Sequence, residues 1–305
     1  MRSQILIGSR GSELALAQAN EVIKALKEFA PRVSYRIVSI KTKGDKLPES
    51  SDAPFEGKGV YTKEIEESLL KNEIQIAVHS MKDLATELPA DVTIAAVPPR
   101  ADHRDALISR SKERLDQLHG GASIGTSSPR RRTQLLATRS DLQILEMHGN
   151  VDTRLRKLDS GGYDAIVLAS AGLKRLGLER RVTELLSTKV MLPAIGQGAI
   201  AIEAREDDLE TVELVSHLDD KSTRLAVEAE RAFARRLGAN CRTPIAAHAR
   251  VDGDTLAIEG MVSSADGRML LRSQLTSAKT EPGKIGEALA ESLLGKGAQL
   301  ILEAT

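Results

Sequence analysis

The chain of 305 residues contains no tryptophan, one cysteine and only 2% aromatic residues. Scarce aromatics argue against a platform that stacks single-stranded nucleic acid. One cysteine cannot form an internal disulfide, and the N-terminus does not resemble a signal peptide, so we expect a cytoplasmic protein. No hydrophobic run is long enough to span a membrane. Basic and acidic residues number 43 each, so any anion site must be local.

Short apolar strands alternate with amphipathic helices through the first two thirds of the sequence, which is typical of an α/β fold. Three later segments alternate in polarity and are separated by Asp-Gly pairs, which predicts an antiparallel sheet. We predict strands at 5–7, 33–40, 74–78, 92–97, 142–146, 164–168, 199–202, 245–251, 255–263 and 269–277, and helices at 13–29, 61–71, 209–218, 222–237 and 283–294. We expect the strand at 199–202 to return to the first sheet.

Polar residues follow two of the early strands. Arg10 and Ser12 come after the first strand, and His79 to Asp83 follow the strand at 74–78, both at predicted strand-to-helix junctions. The carboxyl ends of parallel strands face the crevice where open α/β sheets bind ligands. Arg10 could equally be a solvated loop charge, and Lys82 with Asp83 a surface ion pair.

Three basic groups follow three successive strands in the middle of the chain. The first, Thr126–Arg132, has Ser128 as a predicted N-cap before Pro129, and the other two contain Arg154 and Arg175. Arginine binds carboxylates and phosphates through paired hydrogen bonds, so this repetition predicts a site for a polyanionic small molecule. The arginine run also fits a solvated helix face or a nucleic-acid patch, but zero net charge and scarce aromatics weaken the latter.

Two segments have no regular pattern. Residues 41–59 are rich in glycine, proline, serine and charge, which is typical of a mobile flap, and Lys58 could face a ligand there. Residues 192–198 read LPAIGQG, a glycine-rich crossing segment in which Gln197 is either a hinge or a ligand contact.

Cys241 lies in the segment LGANCRTPIAAHA, where small and turn-forming residues end a long helical pattern. A lone free cysteine is more often a buried small side chain than a nucleophile. Its predicted position on a loop beside Arg242, which would lower the thiol pKa, favours a reactive thiol instead. Both interpretations stay open on these residues alone.

Several well-known motifs are missing from the sequence. It has neither a dinucleotide-binding G-x-G-x-x-G after a strand nor a P-loop, and no G-x-S-x-G nucleophile elbow. The six histidines show no paired metal-ligand spacing, so we expect no metal site.

The sequence resembles the porphobilinogen deaminase family, also called hydroxymethylbilane synthase, nearly from end to end. The resemblance lies in IGSRGSELALAQA, GKGVYTKEIE, AVHSMKDL, IGTSSPRRRTQL, GNVDTRLRKLD, AGLKRLGL, PAIGQGAI and CRTPI. It implies a three-domain α/β fold: a lobe of residues 1–98 with 193–215, a second lobe of residues 99–192, and a small α+β domain of residues 216–305 with a three-stranded antiparallel sheet. The first two domains would resemble a bilobed binding protein.

The resemblance also implies the reaction, in which porphobilinogen units condense stepwise, with loss of ammonia, into the linear tetrapyrrole hydroxymethylbilane. Cys241 would attach a dipyrromethane cofactor covalently, and Asp83 would be the catalytic residue. The cofactor contacts implied are Ser80, Lys82, Asp83, Thr126, Ser127, Ser128, Arg130, Arg131 and Arg175, and the substrate contacts are Arg10, Ser12, Gln18, Arg154 and Gln197. The polycarboxylate nature of the pyrrole chain accounts for the repeated cations.

This sequence departs from the family pattern at three positions. His148 stands where arginine is usual, so one carboxylate contact is lost, made by an imidazolium, or taken over by Arg156 or Arg132. Tyr61 replaces a common phenylalanine, and Pro54 lies near a position that is often basic, which leaves Lys58 as the better flap contact.

The resemblance implies a cytoplasmic monomer that acts on porphobilinogen, without nucleic-acid or membrane partners, and that could hand its product to uroporphyrinogen-III synthase. The main alternative is a non-catalytic, two-lobed anion-binding protein, which would have no use for Cys241. A nucleic-acid-binding protein that uses the arginine run is a weaker alternative.

Overall fold

Strands and helices alternate through residues 2–46, 60–238 and 243–303, the part of the chain that this computed structural model describes. The predicted elements form at the expected places, with ends shifted by a few residues. The strands are β1 (Gln4–Ser9), β2 (Ser34–Ser39), β3 (Ile76–Ser80), β4 (Val92–Ala96), β5 (Asp105–Ser109), β6 (Ser123–Gly125), β7 (Gln143–Leu145), β8 (Ala165–Ala169), β9 (Glu184–Leu185), β10 (Ile200–Arg205), β11 (Ile245–Asp252), β12 (Thr255–Ser263) and β13 (Leu270–Ala278).

The helices are short except for two. They are α1 (Glu13–Phe29), α2 (Lys43–Lys46), α3 (Lys63–Leu70), α4 (Pro129–Thr138), α5 (Val151–Asp159), α6 (Ser170–Arg175), α7 (Leu209–Ser216), α8 (Lys221–Arg236), α9 (Pro282–Leu293) and α10 (Gln299–Glu303), with 3-10 turns at Met81–Asp83 and Glu179–Arg181 and a π-type turn at Leu294–Ala298. None of the helices that the structure describes is long and apolar enough to cross a bilayer.

The chain divides into two units, Met1–Ala101 with Ala199–Arg224, and Asp102–Gly198 with Leu225–Thr305. The finer division into three domains stays a prediction.

The first unit is built on a five-stranded sheet of order β2-β1-β3-β10-β4. β1 is parallel to β2 and β3, whereas β10 is antiparallel to β3 and β4. The predicted return of the strand at 199–202 to this sheet is therefore confirmed. Because β1 and β3 are parallel neighbours, their carboxyl ends lie at the same edge of the sheet.

α1 packs its apolar face on this sheet and begins and ends where the sequence predicts. The Ser12 hydroxyl caps the helix by accepting a hydrogen bond from the backbone N–H of Ala15 at 3.3 Å. Val22 and Leu26 of α1 join a buried cluster with Ile7 of β1 and Ile202 of β10. The cap and this packing place Arg10 and Ser12 at the start of α1.

The second unit contains a five-stranded sheet of order β7-β6-β8-β5-β9. β6 is parallel to β7 and β8, and β5 is antiparallel to β8 and β9. The pairing pattern is the same as in the first sheet. The three parallel strands are those that precede the three basic groups, so these groups follow neighbouring strands at the same edge of one sheet.

A separate three-stranded antiparallel sheet, β11-β12-β13, completes the second unit, as predicted. Its turns contain Gly253 and Gly267 with φ of 55° and 72°, the left-handed conformation that Asp-Gly turns require. The fully buried Phe233 of α8 and Leu289 of α9 pack on the sheet. α9 and α8 approach so closely that a Cβ on Gly286 would lie 2.1 Å from the carbonyl oxygen of Ala229.

Two local predictions differ from the structure. β3 is followed by the single 3-10 turn Met81–Asp83 and then by irregular backbone up to β4, so the predicted strand-to-helix junction at Lys82 and Asp83 is wrong. Residues 43–46 of the predicted flap form α2, whereas residues 47–59 lie outside the described residues.

Candidate active site

A small cavity of about 50 Å³, partly open to solvent, lies in the first unit at the edge where β1 and β3 end. The structure brings together five of the predicted site residues around it: Arg10, Ser12, Gln18, Ser80 and Asp83. Strand topology explains this grouping, because parallel neighbours deliver their following residues to one edge.

The Arg10 side chain is not a solvated loop charge, because it pairs with Asp45 of α2. Its Nε and Nη2 donate to Oδ1 of Asp45 at 3.1 and 2.6 Å, and the guanidinium lies 4.2 Å above the ring centroid of Tyr61. Burial alone would raise the pKa of Asp45, but hydrogen bonds from Arg10 and Thr42 outweigh it and hold this pKa below its ordinary value. A ligand carboxylate that binds Arg10 in the same manner must displace Asp45.

Gln18 and Ser80 bind each other across α1 and β3. The Gln18 amide nitrogen lies 2.9 Å from the Ser80 hydroxyl oxygen, and that hydroxyl lies 3.1 Å from the Gln18 amide oxygen. Gln18 is buried at 3% exposure. Asp83 and Lys82 are exposed on the 3-10 turn, and the Asp83 side chain borders the cavity, where it can accept hydrogen bonds from a ligand N–H.

The hydroxyl groups after β6 already have backbone partners. Ser127 donates to the carbonyl oxygen of Met147 at 2.7 Å, whereas Ser128 accepts from the N–H of Arg131 and so caps α4 as predicted. Thr126 accepts from the N–H of Ser128 at 3.2 Å. Because the oxygens of Thr126 and Ser128 act as acceptors in these bonds, each hydroxyl retains a hydrogen that it can donate to an anion.

Arg130 and Arg131 are buried, unlike Arg132, and share one carboxylate. Nη1 of Arg130 lies 2.8 Å from Oδ2 of Asp105, and Nε of Arg131 lies 2.9 Å from its Oδ1. Asp105 is 0% exposed, and burial alone would raise its pKa, but the two guanidinium groups hold the pKa at about 2. The three groups together carry one net positive charge. The solvated-face interpretation thus fits only Arg132, which is exposed.

The other predicted contacts of the second unit are half-buried or buried. Nε of Arg154 donates to the carbonyl oxygen of Gly149 at 2.8 Å, and Nη2 of Arg175 to that of Gly198 at 3.3 Å. Gln197 is 1% exposed, and its amide nitrogen donates to the carbonyl oxygen of His103 at 2.8 Å.

His148, which replaces the usual arginine, is half-buried next to the serine turn. Both of its ring nitrogens lie 3.4 Å from the Ser127 hydroxyl oxygen, and Nε2 lies 3.6 Å from the carboxylate of Glu146. Arg156, one predicted substitute, is exposed and donates to the Thr153 hydroxyl at 3.1 Å.

Four residues of the sequence-based site lie outside the described residues. They are Cys241 and Arg242 of the thiol segment and Pro54 and Lys58 of the flap.

Sequence reasoning missed three carboxylates: Asp45 and Asp105, which pair with predicted cations, and Glu203, which lies next to His79. Asp105 and Glu203 are both 0% exposed in central strands, and Asp45 lies on α2. The sequence contained a signal for Asp105 and Glu203, because each is the only acid in a mainly apolar strand, DALIS and IAIEAR, and a buried charge needs a partner.

Comparisons with known proteins agree over nearly the whole chain. The family model described as porphobilinogen deaminase, dipyromethane cofactor binding domain, matches residues 5–213, and the one described as porphobilinogen deaminase, C-terminal domain, matches residues 224–295. The porphobilinogen deaminase of Roseiflexus castenholzii is 47% identical over 302 residues, which cover 99% of both chains. That of Desulforudis audaxviator is 49% identical and covers 99% of this chain and 98% of its own. Among solved structures, the methionine binding protein MetQ matches 71% of this chain and 89% of its own with a TM-score of 0.44 and 15% identity.

Proposed function

Because the chain belongs to the porphobilinogen deaminase family, we propose that Asp83, Cys241 and the cations at the sheet edges carry out the reaction of that family here. The enzyme is a transferase of tetrapyrrole biosynthesis that adds porphobilinogen units stepwise, with release of ammonia, to a dipyrromethane cofactor. The observation that supports these residue assignments is the cavity at the shared edge of β1 and β3, which gathers Arg10, Ser12, Gln18, Ser80 and Asp83.

The donors around this cavity fit a pyrrole that carries acetate and propionate arms. A guanidinium and hydroxyl groups suit the carboxylates, and the Asp83 carboxylate suits a pyrrole N–H. When bound, the cofactor supplies the pyrrole end to which new units are joined, and we propose that Cys241 holds it through a thioether. We assign its other contacts to Ser80, Lys82, Asp83, Thr126, Ser127, Ser128, Arg130, Arg131 and Arg175.

Asp83 is the proposed catalytic residue. When ammonia leaves the aminomethyl group of porphobilinogen, the positive charge that develops is shared with the pyrrole nitrogen of the substrate. A carboxylate that accepts a hydrogen bond from this nitrogen stabilises the charge as it forms. Such preorganised electrostatic stabilisation is worth about 3 to 4 kcal/mol when one group is removed.

Arg10, Ser12, Gln18, Arg154 and Gln197 are the proposed substrate contacts. Arg10 exchanges Asp45 for a substrate carboxylate, which keeps its guanidinium paired before and after binding. Arg130 and Arg131 act as a single buried cation, because Asp105 neutralises one of their two charges.

The finer biological setting is also part of this proposal. We propose that the enzyme works as a monomer in the cytoplasm and passes hydroxymethylbilane to uroporphyrinogen-III synthase.

Intact mass spectrometry of the purified protein tests the covalent cofactor. We expect the wild-type mass to exceed that of the sequence by one dipyrromethane unit, and the Cys241→Ser variant to have the bare mass. A companion variant, Asp83→Asn, should carry the cofactor and bind porphobilinogen but lose about 10²- to 10³-fold in kcat. A wild-type protein with the bare sequence mass and no colour with a pyrrole reagent would contradict the proposal.

A further inference from the structure

Three titratable side chains are buried together beneath the cavity of the first unit. Glu66 of α3, His79 of β3 and Glu203 of β10 are 6%, 5% and 0% exposed. Nε2 of His79 lies 3.1 Å from Oε2 of Glu203. None of the three belongs to the site assigned above.

The register of the sheet brings these groups to one place. β10 runs antiparallel to β3 with Ala201 opposite His79, so Glu203, two residues further along β10, points to the same face as His79. α3 covers this face, and its Ile65 and Leu69 are fully buried there with Ala77 of β3. The carboxylates are therefore surrounded by hydrocarbon rather than water.

The cluster has more acid than base. Among the described residues, the His79 imidazole is the basic group that lies within ion-pair distance of these carboxylates. Both oxygens of Glu203 and Oε1 of Glu66 lack a hydrogen bond within the described part of the chain. Burial raises the pKa of Glu66, and the charge of Glu203 raises it further, whereas the Thr62 hydroxyl and His79 lower it. The neutral form of Glu66 is therefore more favourable here than it would be in water.

His79 connects this cluster to the cavity. It precedes Ser80 on β3 and borders the same cavity as Ser80 and Asp83. Its Nε2 is enclosed and faces Glu203, so Nδ1 is the ring nitrogen that can exchange a proton with the cavity. Nε2 makes no hydrogen bond within the described residues, but it lies 3.1 Å from Glu203, and a histidine with a carboxylate at its second nitrogen is a common general base.

The reaction requires a proton acceptor at this place. Porphobilinogen enters as an ammonium, the C–N bond breaks to release ammonia, and the C–C bond formed to the growing chain replaces a C–H bond. Each addition therefore yields one ammonia molecule and one proton, and together they leave as ammonium.

We propose that His79 accepts this proton, with Glu203 and Glu66 as the positioning residues behind it. The proton released at the cavity binds to Nδ1 of the neutral ring, while Glu203 stabilises the imidazolium through Nε2–H. The imidazolium then returns the proton to the departing ammonia, so no charge accumulates in the protein. Burial and the charge of Glu203 raise the pKa of Glu66, which favours its neutral form and so limits the negative charge of the buried group. This proposal rests on the proposed function and deepens it.

The test compares His79→Gln and Glu203→Gln with the control His217→Gln, which changes an exposed histidine of the same unit. All variants are first checked by intact mass for the covalent cofactor. A wild-type protein without the covalent cofactor would contradict the proposed function. The role of His79 is tested only in variants that carry the cofactor.

For His79→Gln we expect kcat to fall by about 10²-fold, the usual contribution of a general base, while KM changes by less than about twofold. The acidic limb of the kcat–pH profile should disappear. Glu203→Gln keeps the shape of the side chain and should shift the acidic limb of the kcat–pH profile to lower pH. The control His217→Gln should have the wild-type profile. A purely structural role would lower kcat without changing the pH profile.

A readout independent of turnover is the ¹⁵N NMR titration of the His79 ring in the full-length enzyme. We expect Nδ1 to gain a proton at a lower pH in Glu203→Gln than in the wild type, because the stabilising carboxylate is gone. The proposal is overturned if His79→Gln keeps the wild-type kcat and pH profile, or if Glu203→Gln leaves the His79 titration unchanged. If His79→Gln does not fold, the isosteric Glu203→Gln tests the proposal through its kcat–pH profile and its ¹⁵N titration of His79.

Discussion

Replacing Asp105 by asparagine removes the carboxylate that the structure pairs with both Arg130 and Arg131. The new amide oxygen could still accept a hydrogen bond, but two guanidinium groups, on residues that are 5% and 6% exposed, would then lie next to each other without a counter-charge. Breaking a buried ion pair in this way costs about 3 to 5 kcal/mol. The pKa of Asp105 gives an independent magnitude, because a fall from 3.8 to about 2 corresponds to roughly 2 to 3 kcal/mol of folding free energy.

The expected result is a lower unfolding midpoint. A loss of about 3 to 5 kcal/mol lowers the thermal midpoint by about 6 to 20 °C in a domain of about 150 to 250 residues. Calorimetry or urea unfolding followed by circular dichroism measures this on samples with equal cofactor content. The matched control is Asp159→Asn, which breaks the exposed ion pair with Arg181 and should change stability by less than about 1 kcal/mol.

The pH dependence has a definite sign. Because the folded-state pKa of Asp105 is depressed from 3.8 to about 2, its contribution is fully present above the unfolded value and is lost as pH falls through the folded value. The stability difference between wild type and Asp105→Asn should therefore be constant above about pH 5 and shrink between about pH 4 and 2. A variant that unfolds with the wild type at neutral pH, or a difference that does not change in acid, would refute the reasoning.

Two further variants test the flap contact and the helix packing. Asp45→Asn removes the internal carboxylate that pairs with Arg10, so the KM for porphobilinogen should fall by about two- to fivefold. This is the change expected for a partly exposed ion pair worth under about 1 kcal/mol. A higher KM in steady-state assays would show that Asp45 does not compete with substrate. Gly286→Ala places a Cβ 2.1 Å from the carbonyl oxygen of Ala229 and should lower stability by about 1 to 3 kcal/mol in thermal unfolding. Gly283→Ala, on the same helix with no heavy atom within 4 Å of its Cβ, should instead stabilise by up to about 1 kcal/mol, and equal effects of the two would contradict the packing argument.

The elements and their grouping were predictable because they depend on local chemistry and short-range rules. Ser12 and Ser128 are recognisable caps, and both helices begin where these side chains accept backbone N–H groups. The carboxyl ends of parallel strands lie together, so Arg10 and Asp83 could be expected near one cavity before any coordinates were known. The predicted helix at Lys82 and Asp83 does not form, since only a 3-10 turn follows β3. Nothing in the local sequence distinguishes a 3-10 turn from the start of an α-helix.

The partners of the charged residues were not predictable, because they are distant in the sequence and depend on which strands become neighbours. Asp105 precedes Arg130 by 25 residues, and His79 meets Glu203 only because β10 returns to lie beside β3. A charge pattern shows that a cation is present but not whether an internal carboxylate has already neutralised it. A single acid in a mainly apolar strand is a stronger indication of a buried ion pair than the charge pattern is, since burying a charge without a partner costs too much for a stable fold. Asp105 and Glu203 both obey this rule, because Asp105 lies beside two guanidinium groups and Glu203 beside an imidazole, so an acid in an inner strand predicts where buried basic residues will be found.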